Sequence, residues 1–420
     1  MENLQVRNFL VIKSANFEVG QINLIIGSQA NGKSVLAKLL YYFRDFLNTT
    51  YLESIKNFEV KKDLEKKALQ EFEKYFPKYT WSNQEFTIEY SIDDFVISIT
   101  RKRNKSGQAI LKFNYSNNLI SLHKKLKNCY KKQRDKKSEH YGSSFHDDAY
   151  YTVIEKYVFE GNFSSCFNRS LFIPASRSFF ANLQKNVFSF LASNIEIDPF
   201  INEFGSQYEH AKRLSQDSFF NERSNKNIMK KINLIVESIL VGKYKYEDDQ
   251  DWIENKGKKI NLTKASSGQQ EALPMLLVMS VWSMIMNGKR DLTMFIEEPE
   301  AHLFPVSQKH IVSLLGLIHN KAQHNFVITT HSPYILTAIN NMVLANDISN
   351  ELGKEKIKDI VDPDFTIAYE AIKAYTIQDG VLVSILDDEA RLIGENIIDS
   401  VSDEFSMVFD DLINLQVGIK

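Results

Sequence analysis

The sequence predicts an α/β fold, in which a mixed sheet with an antiparallel β lobe is interrupted by a helical insertion. A short apolar strand at 22–26 leads into a glycine-containing loop, and apolar residues at helical spacing follow over 35–46. Residues 86–115 alternate with period two, which indicates an antiparallel meander. From Leu262 onward, apolar helices and apolar strands alternate, which is the order of a parallel α/β sheet.

Length and charge limit the classes of protein that fit. At roughly 150 residues per domain, the 420 residues correspond to two or three domains, or to one large domain with an insertion. The 51 basic and 53 acidic side chains leave a net charge of −2, which excludes a uniformly basic nucleic-acid binder but not a local contact surface. With 43% hydrophobic and 25% charged residues, the composition is that of a globular protein.

Three features predict a cytoplasmic protein without membrane contact. The two cysteines, Cys129 and Cys166, fit neither a disulfide framework nor a metal cluster, and such usage is typical of a reducing compartment. The first residues lack the basic and apolar regions of a signal peptide. The most apolar segment, Ala272 to Met286, contains Pro274 and falls short of the ~20 apolar residues of a membrane span, so we expect a buried helix.

The middle of the chain has a different pattern from the two ends. Residues 117–137 predict a basic helix, in which eight Lys or Arg residues accompany the single acid Asp135. We expect a polar loop at 138–148, a short buried strand from Leu171 to Ile173, and amphipathic helices over most of 179–256. These patterns predict three parts: an N-terminal part of the sheet domain (1–116), a mainly helical insertion or oligomerisation region (117–260), and the rest of the sheet domain (261–420).

The strongest single motif follows the strand at 22–26. The pattern G-x-x-x-x-G-K-S/T is matched by Gly27, Ser28, Gln29, Ala30, Asn31, Gly32, Lys33 and Ser34. The glycines let backbone N–H groups surround a phosphate, and the start of the next helix adds positive potential. We therefore expect Lys33 to reach the terminal phosphates of ATP and Ser34 to ligate Mg²⁺.

Two later strands end in polar residues at the same predicted edge. The apolar strand Thr293 to Ile296 ends in Glu297 and Glu298, which we assign to Mg²⁺ and to polarising the attacking water. Taken alone, this acidic stretch is more often a solvated turn, but the buried strand and the upstream glycine loop favour function. His331 follows another apolar strand and could bond the γ-phosphate, although a lone histidine beyond a strand is usually structural.

A fourth motif, Ala265 to Glu271, precedes the long apolar helix. Ser267 and Gly268 at a helix start form an N-cap by default, and they also form an anion site that could hold a phosphate of a neighbouring subunit. The four motifs, in this order, resemble the Walker A, signature, Walker B and switch-histidine motifs of ABC-type ATPases. Glu300-Ala301-His302-Leu303 and Thr330-His331-Ser332-Pro333 resemble the overcoming-lysogenization-defect (OLD) family, over about residues 1–115 and 260–345.

The resemblance implies an ABC-type, P-loop ATPase head that binds ATP and Mg²⁺ between two subunits of a homodimer, with a higher homo-oligomer expected. Ser267 and Gly268, with Gln270 in the same motif, would contact the nucleotide bound to the opposite subunit. Gln269 stands where the signature often has a second glycine. Two further residues are weak candidates, Gln84 for a loop that couples nucleotide to partner and Arg177 after the strand at 171–173.

The resemblance leaves the purpose of the ATPase open between three hypotheses. OLD proteins usually carry a C-terminal Toprim nuclease, but 89 residues follow His331 and their acidic pairs fit solvated faces better than a metal site. His140 and His146 with Asp147-Asp148 are interpreted as loop polarity.

The first hypothesis is therefore a sensor and scaffold subunit of a two-gene anti-phage system of the PARIS or Septu type. It would hold a separate Toprim or HNH effector nuclease and respond to a phage protein. The second is a repair or structural-maintenance ATPase acting on duplex DNA through Lys124 to Lys137. The third, a transporter subunit, is least favoured.

Overall fold

The computed structural model describes residues 1–138, 145–161, 163–183, 197–217, 225–286 and 291–394, together with Met407 and Ile413. The strands are β1 (Glu2–Phe9), β2 (Ile12–Val19), β3 (Ile22–Ile26), β4 (Phe86–Ile92), β5 (Phe95–Arg103), β6 (Ala109–Tyr115), β7 (Arg169–Ile173), β8 (Lys243–Glu247), β9 (Gln250–Asn255), β10 (Lys258–Asn261), β11 (Leu292–Glu297), β12 (Asn325–Thr330), β13 (Ile372–Gln378), β14 (Val381–Ser384), β15 (Leu386–Asp387) and β16 (Leu392–Ile393). The α-helices are α1 (Lys33–Asp45), α2 (Leu52–Lys56), α3 (Lys61–Tyr75), α4 (Asn117–Ser138), α5 (Phe145–Ile154), α6 (Pro199–Gln216), α7 (Lys226–Leu240), α8 (Ser267–Met286), α9 (Pro305–Ala322) and α10 (Pro333–Leu352).

Within the described ranges, eleven strands form one mixed sheet in the order β6-β5-β4-β1-β2-β14-β13-β3-β12-β11-β7. The run from β13 to β7 is parallel, and the run from β6 to β2 is antiparallel. The predicted α/β class, the antiparallel meander at 86–115 and the parallel strands after Leu262 are confirmed. The opening residues form the antiparallel pair β1 and β2, and Leu10 in the turn between them has a left-handed conformation (φ 53°).

The register of the parallel strands brings their carboxyl ends together. β3 lies between β13 and β12, so its neighbours come from the other end of the chain. Ile25 pairs with Thr329, and Thr329 pairs with Glu297 on the next strand. Because ligands bind beyond the carboxyl ends of such strands, this register sets the loops after β3, β11 and β12 side by side.

Apolar layers cover both faces of the sheet. β3 is buried over all five residues, as expected for a central parallel strand. On one face, α1 packs through Leu36, Leu39, Leu40 and Phe43, the stripe that the sequence predicted. On the other face lies α8, which is buried from Ala272 to Val281 and is the predicted buried helix. None of the helices in the described segments is both long and apolar enough to cross a membrane.

The middle of the chain differs from the prediction at several places. β7 pairs with β11 and forms an edge of the large sheet, so a boundary drawn at 117 and 260 cuts through that sheet. Residues 243–261 form an antiparallel three-stranded sheet, not a helix, because Asp248-Asp249 and Lys256-Gly257 both take positive φ and make two-residue hairpin turns. The expected loop at 138–148 is wrong from Phe145 onward, since Ala149, Tyr150 and Val153 bury one side of α5.

Candidate functional site

The loop between β3 and α1 requires glycine at two positions. Gly27 has φ +150°, and a Cβ added there would lie 2.5 Å from Asn31 Nδ2. Gly32 has φ +102°, and its added Cβ would lie 2.9 Å from Val11 Cγ2. α1 then begins without a side-chain cap and without an acid in its first turn. Its first N–H groups and the positive end of the helix dipole therefore face whatever anion enters the loop.

Lys33 is almost completely buried at the start of α1. Its ammonium donates to the carbonyl oxygens of Gly27 and Ser28, at 2.7 and 2.5 Å. Burial lowers the pKa of this ammonium, and the carboxylates of Glu298 and Glu300 oppose that shift. The ammonium thus lies folded into the loop, with two carboxylates near enough to favour its charged form, which is the position that a phosphate-binding lysine needs.

Glu297, the last residue of β11, is buried at the predicted sheet edge. One carboxylate oxygen accepts a hydrogen bond from the Ala175 N–H at 3.3 Å. The other, Oε1, is buried and has no hydrogen-bond partner among the residues that the structure describes. A buried carboxylate with an unused oxygen suits a divalent cation or its water shell, and the exposed hydroxyl of Ser34 on α1 supplies a second oxygen ligand of the type that Mg²⁺ prefers.

Glu298 has a left-handed backbone (φ 44°), an unfavourable conformation for a residue with a side chain. Its N–H donates to Thr329 O at 2.9 Å, which ties the end of β11 to the end of β12. The side chain is one-third exposed and lines a cavity of about 490 Å³ together with Lys33 and Ser34. Glu298 therefore meets the phosphate-binding loop from across the sheet edge.

A second cavity, of about 510 Å³, lies against the first and shares Gln29 and Glu298 with it. His331 and Glu300 also line it, so the two strand ends that the sequence singled out open into one region. His331 is partly exposed, and its Nδ1 lies 3.6 Å from Glu298 Oε1 and 3.3 Å from Glu300 Oε1. The histidine can thus bridge the two acids or turn toward a ligand.

Glu300, which the sequence did not single out, orders the end of β12. It is almost fully buried, and its Oε1 accepts from Thr330 Oγ1 at 2.6 Å and from the His331 N–H at 2.9 Å. Its role arises from contacts across thirty residues of chain, which no spacing rule reports. Glu300 holds the loop that carries His331.

The signature motif begins α8 with a capping box. Ser266 and Gln269 bond each other in both directions, because Gln269 Oε1 accepts from the Ser266 N–H at 3.1 Å and Ser266 Oγ accepts from the Gln269 N–H at 3.3 Å. The glutamine that departs from the signature pattern thus has a structural function. The amide nitrogen of Gln270 donates to Leu262 O and Ala265 O, so this residue holds the preceding turn, and its predicted nucleotide contact stays a prediction.

Ser267 is exposed and Gly268 is buried beside the loop after β11. A Cβ at Gly268 would lie 2.6 Å from the carbonyl oxygen of His302, so close approach requires glycine here. Within the described structure, neither residue lines the cavities that contain Lys33 and Glu298. The structure of one chain does not bring the signature motif to its own phosphate loop.

The two weak candidates take different positions. The side-chain amide of Gln84 accepts from the Leu10 N–H at 2.8 Å and donates to Leu10 O at 2.9 Å. It thereby holds a turn that lines the cavity containing Lys33. Arg177 is completely buried and donates to the carbonyl oxygens of Glu297 and Glu298. Arg177 is therefore not an ordinary surface arginine.

The basic helix and the acidic pairs stand apart from this site. In α4 the side chains of Lys124, Lys125, Lys131 and Lys132 are exposed, whereas Lys127 donates to two backbone carbonyls. The side chains of Lys136, Lys137 and His146, and all of His140 and Asp410-Asp411, lie outside the described residues. Asp387 caps a turn and Asp388 accepts from Tyr369. Among the residues described, no group of three or more His, Cys, Asp or Glu side chains could hold a metal ion.

The family match agrees with a nucleotide site. The sequence matches the family described as AAA ATPase domain over residues 1–336. Among solved structures, the SMC head domain from Thermotoga maritima is 11% identical with a TM-score of 0.36, over 91% of this chain and 97% of that chain. An Smc head domain with an extended coiled coil, bound to the C-terminal domain of ScpA and derived from Pyrococcus furiosus, is 13% identical with a TM-score of 0.39, over 97% and 100%.

A third solved structure, the recombination mediator protein RecF-ATPrS, is 12% identical with a TM-score of 0.31, over 91% of this chain and 97% of that chain. No curated protein matches the sequence. The glycine loop, both carboxylates after β11 and the histidine after β12 all lie within the residues of the family match. The chain belongs to the AAA ATPase domain family and is an ATP-hydrolysing enzyme.

Proposed function

We propose that two copies of the chain enclose ATP between them, and that this ATPase acts as a sensor and scaffold that controls a separate effector nuclease in an anti-phage complex. The observation that supports the composite site most directly is the placement of Glu298. It faces Lys33 across one cavity, while Ser267 of the same chain lies elsewhere. A complete site therefore needs the signature motif of a second copy.

The arrangement supports a defined role for each residue in hydrolysis. The N–H groups at residues 27–34 and the Lys33 ammonium would hold the phosphates, and Ser34 with Glu297 would hold Mg²⁺, which neutralises phosphate charge when bound. Glu298 would accept a proton from the water that attacks the γ-phosphate. The P–O bond to ADP breaks as the new one forms, which releases ADP and phosphate. His331 would orient the γ-phosphate from the adjacent strand end.

The dimer is tested by mass measurement with a hydrolysis-deficient chain. Glu298→Gln should trap ATP, and the complex should then double in mass on addition of ATP and Mg²⁺. Ser267→Arg, which places a bulky cation on the exposed signature turn, should remain monomeric under the same conditions. Lys256→Arg, at an exposed residue in the turn between β9 and β10, is the control variant and should still double in mass. A mass independent of ATP in every variant would contradict the composite site.

The anti-phage role rests on the resemblance of Glu300-Ala301-His302-Leu303 and Thr330-His331-Ser332-Pro333 to the OLD family. The expected complex contains several copies of this chain and a Toprim or HNH nuclease, and a phage protein releases the nuclease. Affinity purification from the native host followed by mass spectrometry identifies the subunits. Lys33→Ala should abolish phage protection. An effector-free complex together with full protection by Lys33→Ala would overturn the proposal.

One observation supports the alternative of a repair-type ATPase on duplex DNA. The exposed lysines of α4 occur at 124, 125, 131 and 132, where their charges can meet phosphates at helical spacing. In that case DNA would stimulate ATP hydrolysis, and the logarithm of the affinity would fall linearly with the logarithm of salt concentration. Replacing Lys124 and Lys131 by alanine should reduce both effects. Hydrolysis that is unaffected by DNA at low salt would remove this alternative.

A further inference from the structure

We infer that Arg177 is a positioning residue for ATP hydrolysis. It fixes the backbone of Glu298 and connects it, through Glu271, to the first turn of α8. The inference rests on the proposed function, since it takes Glu298 as the base and Ser267 as the contact with the nucleotide of the partner chain. As a consequence, the two composite sites of a dimer hydrolyse ATP cooperatively.

Arg177 is surrounded by backbone acceptors from three segments. One terminal nitrogen donates to Pro174 O and Glu297 O, at 2.9 and 2.7 Å, and the other donates to Glu298 O at 2.9 Å. Nε donates to Glu271 O at 3.1 Å. Four of the five guanidinium N–H groups are thereby used, and the side chain has no exposed surface.

Glu271 forms the other half of the connection. It lies one turn after Ser267 in α8 and is almost completely buried. Its Oε2 accepts from the Arg177 N–H at 2.8 Å, and its Oε1 accepts from the Ser178 N–H at 3.1 Å. The carboxylate also lies 3.6 Å from the guanidinium. Both oxygens are thus fixed by consecutive N–H groups, so α8 and the loop after β7 move as one unit.

Stability alone does not explain the buried guanidinium of Arg177. Apolar residues of similar volume usually replace a buried ion pair without loss of stability. Burial lowers the pKa of the Arg177 guanidinium, and the carboxylate of Glu271 gives the largest opposing effect. The planar fork of arginine can hold several carbonyls in fixed directions, which lysine and leucine cannot. An arginine at this position is explained by its ability to fix the directions of the carbonyl groups that it bonds.

The held carbonyls belong to the residues that carry the chemistry. Glu298 is in the left-handed region, and its N–H and C=O are both bonded, to Thr329 O and to Arg177. A strained backbone that is fixed at both ends sets the direction of its side chain. Arg177 therefore determines where the Glu298 carboxylate stands relative to Lys33 and the bound water.

The same unit also reaches the signature turn. Gly268 packs against the carbonyl of His302, four residues after Glu298, while Glu271 contacts Arg177. The first turn of α8 is thereby joined to the loop after β11 at two points. When Ser267 binds the nucleotide of the partner chain, that turn is fixed, and the backbone of Glu298 in its own site is fixed with it. Coupling of this type makes hydrolysis cooperative between sites.

The test compares Arg177→Lys and Glu271→Gln with the wild-type chain. Steady-state hydrolysis gives kcat, KM and the Hill coefficient, and titration with a fluorescent ATP analogue gives affinity and the number of sites. For Arg177→Lys we expect kcat to fall roughly tenfold or more, with KM within about twofold, because the base is misplaced while the phosphate loop is intact. For the near-isosteric Glu271→Gln we expect the Hill coefficient to fall from near two toward one, with a smaller loss of kcat.

Controls separate positioning from folding and from failure of the proposed function. Arg169→Lys, at an exposed arginine on β7, should behave as wild type. A folding defect would reduce the number of binding sites and kcat together and leave the Hill coefficient unchanged. Unchanged kcat and cooperativity in both variants would overturn the inference while the proposed function stands. A wild-type chain that hydrolyses ATP as a non-cooperative monomer would instead overturn the proposed function.

Discussion

At position 298, a carboxylate faces a buried lysine, and a single-atom change tests its role. Glu298→Gln keeps the size and the backbone bonds to Thr329 and Arg177. It removes the proton acceptor, so kcat should fall by about 10²–10⁴ while ATP affinity stays within a few-fold. Single-turnover hydrolysis and analogue binding measure the two quantities. Glu300→Gln is the comparison: it touches Thr330 and the His331 N–H rather than the water, so a smaller loss is expected.

Loss of affinity and of kcat in equal measure in Glu298→Gln would contradict its assignment as base. At this scale the sequence predicted the residues that follow a strand in a known pattern, namely the loop 27–34, Glu297, Glu298 and His331. It gave no individual role to Glu300 or Glu271 and treated Arg177 as a weak candidate. Their partners lie 31, 94 and up to 121 residues away, and such pairs are created by the fold alone.

Between α2 and α4, a buried histidine makes stability depend on pH. Ser54 donates to Tyr51 O at 2.6 Å, so its oxygen accepts from His123 Nε2 at 2.8 Å. Burial, with a smaller effect from Lys127, lowers the pKa of His123 from 6.5 to about 4. The unfolded chain thus binds the proton more tightly than the folded chain, so stability is complete above pH 6.5 and is lost as pH falls toward 4.

At pH 5 this histidine should cost about 2 kcal/mol of stability relative to pH 7.5. Urea unfolding of the wild type and of His123→Gln at both pH values measures it. The variant starts less stable, but its loss between the two pH values should be smaller by that amount. Equal losses in the two proteins would show that His123 does not titrate between them. Other histidines, such as His324, contribute to both chains alike.

Helices and strands with strong periodicity were predicted, and those defined by turns were not. α1, α8, β3, β11 and β12 carry clear apolar patterns and lie where we expected them, as does the basic helix α4. The strands β8 and β9 lie within the range that was interpreted as amphipathic helices, and β8 alternates lysine and tyrosine with little apolar contrast. Their hairpin depends on Asp248 and Asp249 at positive φ, a conformation that aspartate adopts less readily than glycine or asparagine.

At the scale of the whole molecule, the two ends of the chain are interleaved. β3 from the N-terminal part lies between β13 and β12, and β7 from the middle closes the sheet against β11. The phosphate loop after β3 is held by Asn31, whose amide donates to Ile377 O at 3.3 Å. Neither end of the chain alone can form the sheet edge that carries the site. The sequence predicted that the sheet domain is divided between the two ends of the chain. The position of β7 in that sheet is known only from its pairing with β11 in the structure.

Mixing two inactive chains tests whether the site is shared between copies. Lys33→Ala destroys the phosphate loop, and Ser267→Arg destroys the signature turn, so neither variant alone can form a complete site. A mixed dimer pairs the intact loop of one chain with the intact signature of the other, which leaves one complete site. Since only mixed dimers enclose ATP, an equal mixture has at most one complete site for every two chains, so up to about half of wild-type activity should return.

Subunit exchange can be driven by repeated ATP addition and followed by hydrolysis rate against mixing ratio, with a maximum expected at equal amounts. If each chain instead completed its own site, mixing would restore nothing at any ratio. The cooperativity that Arg177 is inferred to support lowers the yield, because the one good site lies beside an empty one. Activity clearly below half, with binding at the expected level, would therefore show that the shared site depends on coupling to its neighbour.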